Sequence, residues 1–430
     1  MDVRGLGVAV LLALAPAARG GEDEAALAGM DAAVRGDWPA ACKAFAESTD
    51  AKSGSRLAAA RHHAAERLVP HLNSLPRAKR WADLAEVVAL GLAIDPNYAR
   101  FSGAAKRVER EGITALPPVD KHLAPWISCG EAWADATPLL EGCIAWLEKA
   151  QEPDGHWDSD KHGGGALYDP GVSGLALLAI LHRRPEAAAR AAEALGKMQA
   201  KNGRFGSDRT HSWMYNHALA TEALAEYARH AGKVDDYRER LERAAQVLLD
   251  AQNPGAGWRY EARGNENDTS VTARATAALF AVERAGVLRV DEAAWRGARE
   301  WVASMTDPDF GQVGYNFRGG VPARPEGKQD LFLPEHSQAM TASGMVATLL
   351  AGSDPFTVPA RSLSLVTTLP PKTRHADLYY WEAAARAYML AGSPVPDPWY
   401  AALVKTLAAS RHDDGGMKPF DVWSGDTGRI

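Results

Sequence analysis

The 430-residue sequence predicts an all-α protein built from repeated pairs of helices. Apolar residues recur at spacings of three and four, and the strict alternation that marks β-strands is absent. From about residue 126 onward a short segment also recurs at intervals of roughly 50 residues, which is typical of helix pairs, propeller blades and solenoids. Because propeller blades need several short strands, the helix pair is the repeat that fits.

The composition excludes several classes of protein. Lys and Arg total 48 against 54 Asp and Glu, so the chain is mildly acidic and lacks the basic surface that a nucleic-acid partner requires. Its three cysteines, Cys42, Cys129 and Cys143, are too few for a disulfide framework or for a four-cysteine zinc or iron–sulfur site. The sequence gives no sign of a cofactor.

Residues 1–20 are predicted to be a secretory signal peptide. Arg4 precedes an apolar run over 6–14, and small residues at 15–18 offer a cleavage site. The run is too short to cross a bilayer, which takes roughly 20 residues. We therefore expect an extracytoplasmic protein, periplasmic or secreted, with no integral membrane segment. A buried helix or a short anchor is the alternative.

Residues 22–115 are helical in pattern and predict a small separate domain. The segment 36–45, and Trp81 to Ala93 followed by Ile94-Asp95-Pro96-Asn97, resemble halves of tetratricopeptide helix pairs. An ordinary helical packing domain is an equal alternative. This domain is a possible docking site for a protein partner, and the proline-containing stretch 116–125 is predicted to be a linker.

The recurring segment of residues 126–430 has a physical logic. An outer helix is predicted to end at a glycine that can take a left-handed conformation. A glutamine lies near that end and an aromatic residue after the turn packs back over it, as in Gln151, Gly155 and Trp157. The side-chain amide of the glutamine can bind the carbonyls that a helix end leaves exposed. Later copies are anchored at Gln199, Gln252, Thr306, about Leu369 and Arg411.

These residues carry a resemblance. Gly142-(x3)-Trp146-Leu147-(x3)-Gln151-(x3)-Gly155-x-Trp157 resembles the glutamine–tryptophan repeat of squalene–hopene and related terpene cyclases. Prenyltransferase β subunits share their double ring of helices. The segments 257–260, 267–272 and 377–381 resemble a secreted bacterial branch of these prenyltransferase and squalene-oxidase repeat proteins. The resemblance covers 126–430 and implies an (α/α)6 toroid whose inner-helix N-termini line a central cavity.

The helices of this ring can be counted in the sequence. Outer helices are predicted near 137–151, 186–199, 235–251, 291–305, 357–369 and 398–410, and inner helices near 170–182, 213–231, 268–286, 336–351 and 376–391. A sixth inner helix would begin just after Ile430. We therefore expect a truncated chain, the alternative being a ring that another element closes.

Two chemistries of the family are expected to be missing. In the cyclases the central acid of an Asp-x-Asp-Asp-Thr motif protonates an alkene, but the matching stretch here places Asn267 at that position. Only Asp268 matches, and it can equally be the N-cap of an inner helix. Glu266 is a possible displaced acid. The prenyltransferase zinc site takes a cysteine from the toroid, and no cysteine follows Cys143, so we predict no metal site; the loop residues His156, Asp158 and His162 do not match a ligand pattern.

Polar and aromatic residues cluster at the predicted starts of the inner helices. If the ring is correct, many converge on one rim, where each is a candidate site residue or simply a cap or core residue. The weak catalytic candidates are Asp268, Glu266, His211, His217, Glu335, His336 and Asp377. The candidate ligand-binding residues are Tyr168, Asp169, Trp213, Tyr215, Asn216, Asn267, Tyr379, Tyr380 and Trp381.

The sequence thus predicts a binding protein that takes a small apolar or saccharide ligand in its central cavity, without cyclase or transferase chemistry. Two alternatives stay open. One is an active enzyme, either terpene cyclase-like or a polysaccharide lyase or hydrolase that uses Asp, Glu, His and Tyr of the rim. The other is an envelope scaffold protein.

Overall fold

The computed structural model describes residues 72, 81–94, 99–113, 130–162, 164–207, 210, 212–324, 327–328, 332–333, 337–352, 362, 365–366, 368–390, 397–417 and 421. Over these residues the chain consists of helices and loops, with isolated β-bridges but no strand, which confirms the all-α class. None of the described helices is both long enough and apolar enough to span a bilayer. The chain divides near Trp133 into two compact units.

The described part of the first unit is a pair of helices, α1 (Trp81–Ile94) and α2 (Ala99–Arg110). Leu84, Val88 and Val108 form their core, and α1 ends directly before Asp95-Pro96, where the sequence predicts a stop. The predicted signal peptide, the segment 36–45 and the linker 116–125 lie outside the described residues.

The second unit contains ten labelled helices among its described residues. In chain order they are α3 (Gly130–Ala150), α4 (Asp169–Ile180), α5 (Pro185–Met198), α6 (Trp213–His230), α7 (Val234–Ala251), α8 (Thr269–Arg284), α9 (Glu292–Met305), α10 (Ala339–Leu350), α11 (Leu378–Leu390) and α12 (Asp397–Ala409). Their bounds fall within three residues of those predicted, except that α3 begins at Gly130 and not near 137. The outer helix predicted over 357–369 lies largely outside the described residues.

The helices belong to two kinds that alternate along the chain. Helices α4, α6, α8 and α10 are buried around most of their circumference, whereas α5, α7 and α9 bury only one face. Each helix of the series α4, α6, α8, α10, α11 packs against the next, and α5, α7 and α9 each pack on the two members of the series that flank them in the chain. We call these two kinds the inner and the outer helices.

The glutamine that ends an outer helix makes the same two hydrogen bonds in three repeats. The Gln151 Nε2 donates to Gly155 O within its own loop and to Ala187 O at the start of the next outer helix, both at 2.9 Å. The Nε2 atoms of Gln199 and Gln252 repeat both bonds at the same lengths, to Arg240 O and Ala294 O respectively. The glutamine therefore closes its turn and fastens it to the neighbouring helix.

The residue after each turn is held by an inner helix. In four repeats its backbone N–H donates to a side chain on the facing inner helix, at 3.1–3.2 Å; the pairs are Trp157 with Ser173, Phe205 with His217, Trp258 with Thr272, and Val313 with Thr341. The indole N–H of the two tryptophans also donates back to the outer helix, to Leu147 O and Leu248 O. Each repeat thus ties its outer helix, loop and inner helix together.

The last described loop, 410–417, lies against α3. Gly415 packs so closely on Gly142 O that a Cβ could not fit between them. Gly155 packs in the same way on Arg190 O, and Gly203 packs on Arg243 O. Each of these carbonyls lies three residues after the one that the glutamine of the same loop binds, Ala187 O for Gln151 and Arg240 O for Gln199. The loop after α12 therefore meets α3 as earlier loops meet the following outer helix.

Candidate functional site

Hydroxyl groups form hydrogen-bonded chains on both sides of the Asp268 carboxylate, close to the N-termini of α6 and α8. We call Asp268 and the residues of these chains, Tyr215, Ser270, Tyr260 and Tyr315, the rim cluster. The Tyr215 OH lies 2.5 Å from Ser270 Oγ, which donates to Asp268 Oδ1 at 2.9 Å. On the other side the Tyr315 OH donates to Asp268 Oδ2 at 3.2 Å and lies 2.6 Å from the Tyr260 OH. Because Ser270 and Tyr315 give their protons to the carboxylate, Tyr215 and Tyr260 must donate to them.

Asp268 has two structural roles in this cluster. It is the N-cap of α8, with Oδ1 accepting from Val271 N at 2.7 Å, as the cap interpretation predicts. Its backbone also bridges to Trp258, which fixes the two ends of the loop 259–267. The fully buried carboxylate binds both the first turn of α8 and the hydroxyl groups of Ser270 and Tyr315. It therefore caps the helix and orders the hydroxyl chain.

The loop 259–267 is held rigidly against the end of α7. Buried Asn253 donates to Glu266 O at 2.7 Å and to Asn267 Oδ1 at 3.0 Å, and it accepts from Asn265 N at 3.1 Å. Arg263 and Asn265 have φ of 51° and 60°, a left-handed conformation that is unfavourable for residues with a Cβ. Such local strain is often found at functional sites, and this loop carries Arg259 and Tyr260.

Buried Trp213 joins the rim cluster through the backbone of Tyr260. Its indole N–H donates to Tyr260 O at 2.5 Å, and the Arg204 guanidinium lies 4.8 Å from the centre of its ring. The Arg259 guanidinium lies 5.4 Å from the ring of Tyr260 and 5.9 Å from that of Tyr315. The cluster thus combines aromatic faces with hydroxyl, carboxylate and guanidinium groups.

Burial sets the protonation of this cluster. It raises the pKa of Tyr215, Tyr260 and Tyr315, and the Asp268 charge raises them further. Burial also raises the pKa of Asp268, against the opposing effect of its three hydrogen bonds. The tyrosines therefore stay protonated at neutral pH and are poor general bases.

A second polar cluster fills the space between the inner helices; we call it the bore cluster. Arg274 of α8 pairs with Glu382 of α11 at 2.6 Å, and Arg386 of α11 pairs with Glu222 of α6 at 2.5 Å. Ser343 Oγ donates to the Tyr379 OH at 2.9 Å beside Arg274. Arg274, Tyr379 and Glu382 help to line a cavity between α8, α10 and α11 that measures about 10 Å³, enough for one water molecule.

The structure brings together only some of the predicted site residues. Trp213, Tyr215 and Asp268 lie in the rim cluster and Tyr379 in the bore cluster. Glu266 lies at the outer edge of the rim, bonded to Arg259, and Asn267 faces Asn253. His211, Glu335 and His336 lie outside the described residues.

Several other candidates are occupied by packing or capping. His217 is fully buried, accepts from Phe205 N and binds Ala244 O, and burial lowers its pKa to about 4, so it is a neutral core histidine. Asp377 caps α11 through Tyr380 N and is paired with buried Arg324.

The remaining candidates lie at or near the other helix starts. Asp169 accepts a hydrogen bond from Ser159 N, and Asn216 donates one to Leu167 O. Tyr380 donates to Val366 O, and Trp381 is buried beside it in the sequence. Tyr168 is half-buried directly before α4. His156 lies against Asp154, and His162 packs on Trp146. Among the described residues, no three His, Cys, Asp or Glu side chains are arranged to hold a metal ion.

Sequence reasoning missed Arg259, Tyr260, Ser270 and Tyr315 of the rim and the four charged residues of the bore. A usable signal was present, since Arg274, Glu382 and Arg386 interrupt helices that are otherwise rich in alanine. Buried charges of this kind are costly and mark either a structural pair or a functional site. Tyr315 gave no such signal, because only the fold brings residue 315 to residue 268.

Comparison with known proteins adds no relative. The sequence matches no family model, and no curated protein matches it either. The arguments for function therefore rest on this chain's own residues.

Proposed function

We propose that residues 126–430 form an (α/α)6 ring that binds a saccharide at the rim cluster and has no cyclase or transferase activity. The ring is supported by the repeated fastening of each loop to the next outer helix. It is supported further by the loop 410–417, whose Gly415 meets Gly142 of α3 just as Gly155 meets Arg190 of α5. In this proposal the ring closes between α12 and α3, and the first unit is a tetratricopeptide-like domain.

The bore cluster argues against an apolar ligand at the centre. Pockets that enclose small molecules measure roughly 300–1,000 Å³ and are mostly apolar. The space between α8, α10 and α11 measures about 10 Å³ and is lined by Arg274, Glu382 and Arg386. An isoprenoid chain placed there would have to displace two buried ion pairs, so of the two expected ligands the saccharide is favoured.

The residues of the cyclase acid site support a loss of that chemistry. Asn267, at the position of the proton donor, is an amide bonded to Asn253, and the Asp268 carboxylate is engaged as a helix cap that accepts three hydrogen bonds. Protonating an alkene needs a strong, dry acid. Glu266 cannot supply one, because its side chain is 72% exposed and paired with Arg259.

One observation carries the saccharide assignment: the half-buried rings and hydroxyl groups of Tyr215 and Tyr260 lie in one hydrogen-bonded network with buried Asp268 and Tyr315. A sugar offers apolar C–H faces that stack on such rings and hydroxyls that both donate and accept hydrogen bonds. The loop 259–267 holds Tyr260 in place before any ligand arrives, which lowers the entropy cost of binding. Because the tyrosines stay protonated, binding rather than base catalysis suits the site.

The proposal is tested by glycan-array screening of the full chain, followed by calorimetric titration of the best saccharide. Tyr260→Ala is expected to weaken that affinity at least tenfold. Tyr237→Ala, which removes a tyrosine on outer helix α7 that packs on Tyr227, is the control and should leave the affinity unchanged. No binding to any saccharide, release of new reducing ends, or triterpene formation would contradict the proposal.

We further propose that residues 1–20 direct the chain out of the cytoplasm and that residues 22–115 dock a protein partner. The apolar run over 6–14 and the small residues after it support the first part. The mass of the chain recovered from the cell envelope tests it, since cleavage near residue 20 removes the signal. A pull-down with and without residues 22–115 tests the second part.

A further inference from the structure

Arg259 is the cationic group at the exposed edge of the rim cluster. It directly follows Trp258, which is fully buried and fastened to Leu248 O, so the backbone at Arg259 is well fixed. Its guanidinium lies over the rings of Tyr260 and Tyr315. A cation over aromatic faces keeps its position without being neutralised, because the attraction comes from the ring quadrupole.

Two carboxylates flank this guanidinium, and they differ greatly in exposure. Behind it Asp268 Oδ2 lies 3.8 Å from Nε, fully buried and already accepting from other donors; Nε itself is buried and makes no hydrogen bond. In front, Glu266 Oε2 accepts from Nη1 at 2.5 Å, yet the Glu266 side chain is 72% exposed.

The exposed pair is easily exchanged. Ion pairs with an exposed partner contribute little to stability, because water screens them and the side chains lose freedom when they pair. A ligand that stacks on Tyr260 could bring its own carboxylate to Arg259. It would form the same hydrogen bond, and the Glu266 side chain would no longer have to be held in one conformation. Glu266 thus occupies the position that an incoming carboxylate would take.

We propose that Arg259 makes the rim site specific for an acidic sugar, binding the carboxylate of a uronate in place of Glu266. The planar guanidinium suits a carboxylate because two parallel N–H···O bonds can form. Tyr260 stacks on the ring of the same sugar. This inference rests on the proposed saccharide function and names its ligand class.

The test uses two probes with the same sugar backbone, trigalacturonic acid and its fully methyl-esterified form, in which each carboxylate is replaced by a neutral methyl ester; both are titrated calorimetrically into the full chain. The acid is expected to bind at least tenfold more tightly than the ester. Arg259→Gln should reduce the affinity for the acid to that of the ester. Glu266→Gln should raise the affinity for the acid at least threefold, because the competitor for Arg259 is gone.

Glu261→Gln is the matched control. It removes a negative charge from the same loop, with no hydrogen bond to Arg259, and should raise the affinity for the acid less than Glu266→Gln does. Equal affinity of the wild-type chain for acid and ester, or equal effects of the two glutamine variants, would overturn the inference while leaving the saccharide function intact. Absence of binding to these probes and to every glycan on the array would overturn the function itself.

Discussion

At the residue scale, one position of the repeat is filled by different side chains with the same task. Ser173, His217, Thr272 and Thr341 each accept the backbone N–H of the residue that follows a turn. Only His217 can also gain a charge, and its surroundings are built for the neutral ring, since Nδ1 accepts from Phe205 N. The histidine that the sequence marks as a catalytic candidate is therefore one variant of a structural acceptor.

This arrangement predicts an acid-sensitive fold. The pKa of His217 falls from 6.5 in the unfolded chain to about 4 in the folded one, because burial disfavours its charged form. The folded protein thus binds this proton less readily, and stability is lost as the pH falls from about 6.5 to about 4. The loss reaches about 3 kcal/mol by the linkage relation.

His217→Thr tests this, because threonine fills the same position at 272 and 341. The variant should be less stable at pH 7 but should lose less stability than the wild type on acidification. Urea unfolding between pH 7 and pH 4.5 measures both slopes. Parallel slopes for the two proteins would show that His217 is not held neutral.

At the element scale, the outer helices are joined through their glutamines. Each of Gln151, Gln199 and Gln252 donates from one nitrogen to two carbonyls, one in its own loop and one on the next outer helix. The sequence predicts the helix and its glutamine from local spacing. The partner carbonyl about 40 residues onward follows only from the packing.

Gln252→Ala should lower the free energy of unfolding by about 1–2 kcal/mol, since two hydrogen bonds are lost. Gln246→Ala is the control, because Gln246 lies on the same helix and bonds only to exposed Asp250; its effect should stay within about 0.5 kcal/mol. Urea denaturation of both variants measures the two changes in the free energy of unfolding. Equal effects would mean that the glutamine does not fasten the neighbouring helix.

At the scale of the second unit, buried ion pairs join inner helices that are far apart in the chain. Arg274 meets Glu382, and Glu222 meets Arg386, across more than 100 residues in each case. Such pairs hold helices in one arrangement rather than adding much net stability, because desolvation offsets most of the attraction. They also make the space between α8, α10 and α11 polar.

The proposed closure of the ring is tested at Gly415. This residue has φ of 92° and packs on Gly142 O, whereas Gly255 has φ of 65° and faces open space. Gly255→Ala should therefore lower the free energy of unfolding by only about 1 kcal/mol, the cost of placing a Cβ on left-handed backbone. Gly415→Ala should cost about 3 kcal/mol, since it adds a clash with α3.

Thermal or urea unfolding of the two alanine variants gives the comparison. Equal losses would contradict the contact between the loop 410–417 and α3, and with it the proposed ring.

The sequence by itself determined the all-α class, the positions of the helices and the cap at Asp268, because periodicity, turn glycines and capping residues act over a few positions. Only the tertiary structure decided which polar residues meet. Tyr260, Asp268 and Tyr315 lie in different repeats, and Arg274 and Glu382 on different inner helices, so their contacts depend on how the helices pack. For the same reason only the packing shows that the small space between α8, α10 and α11 is lined by charged side chains.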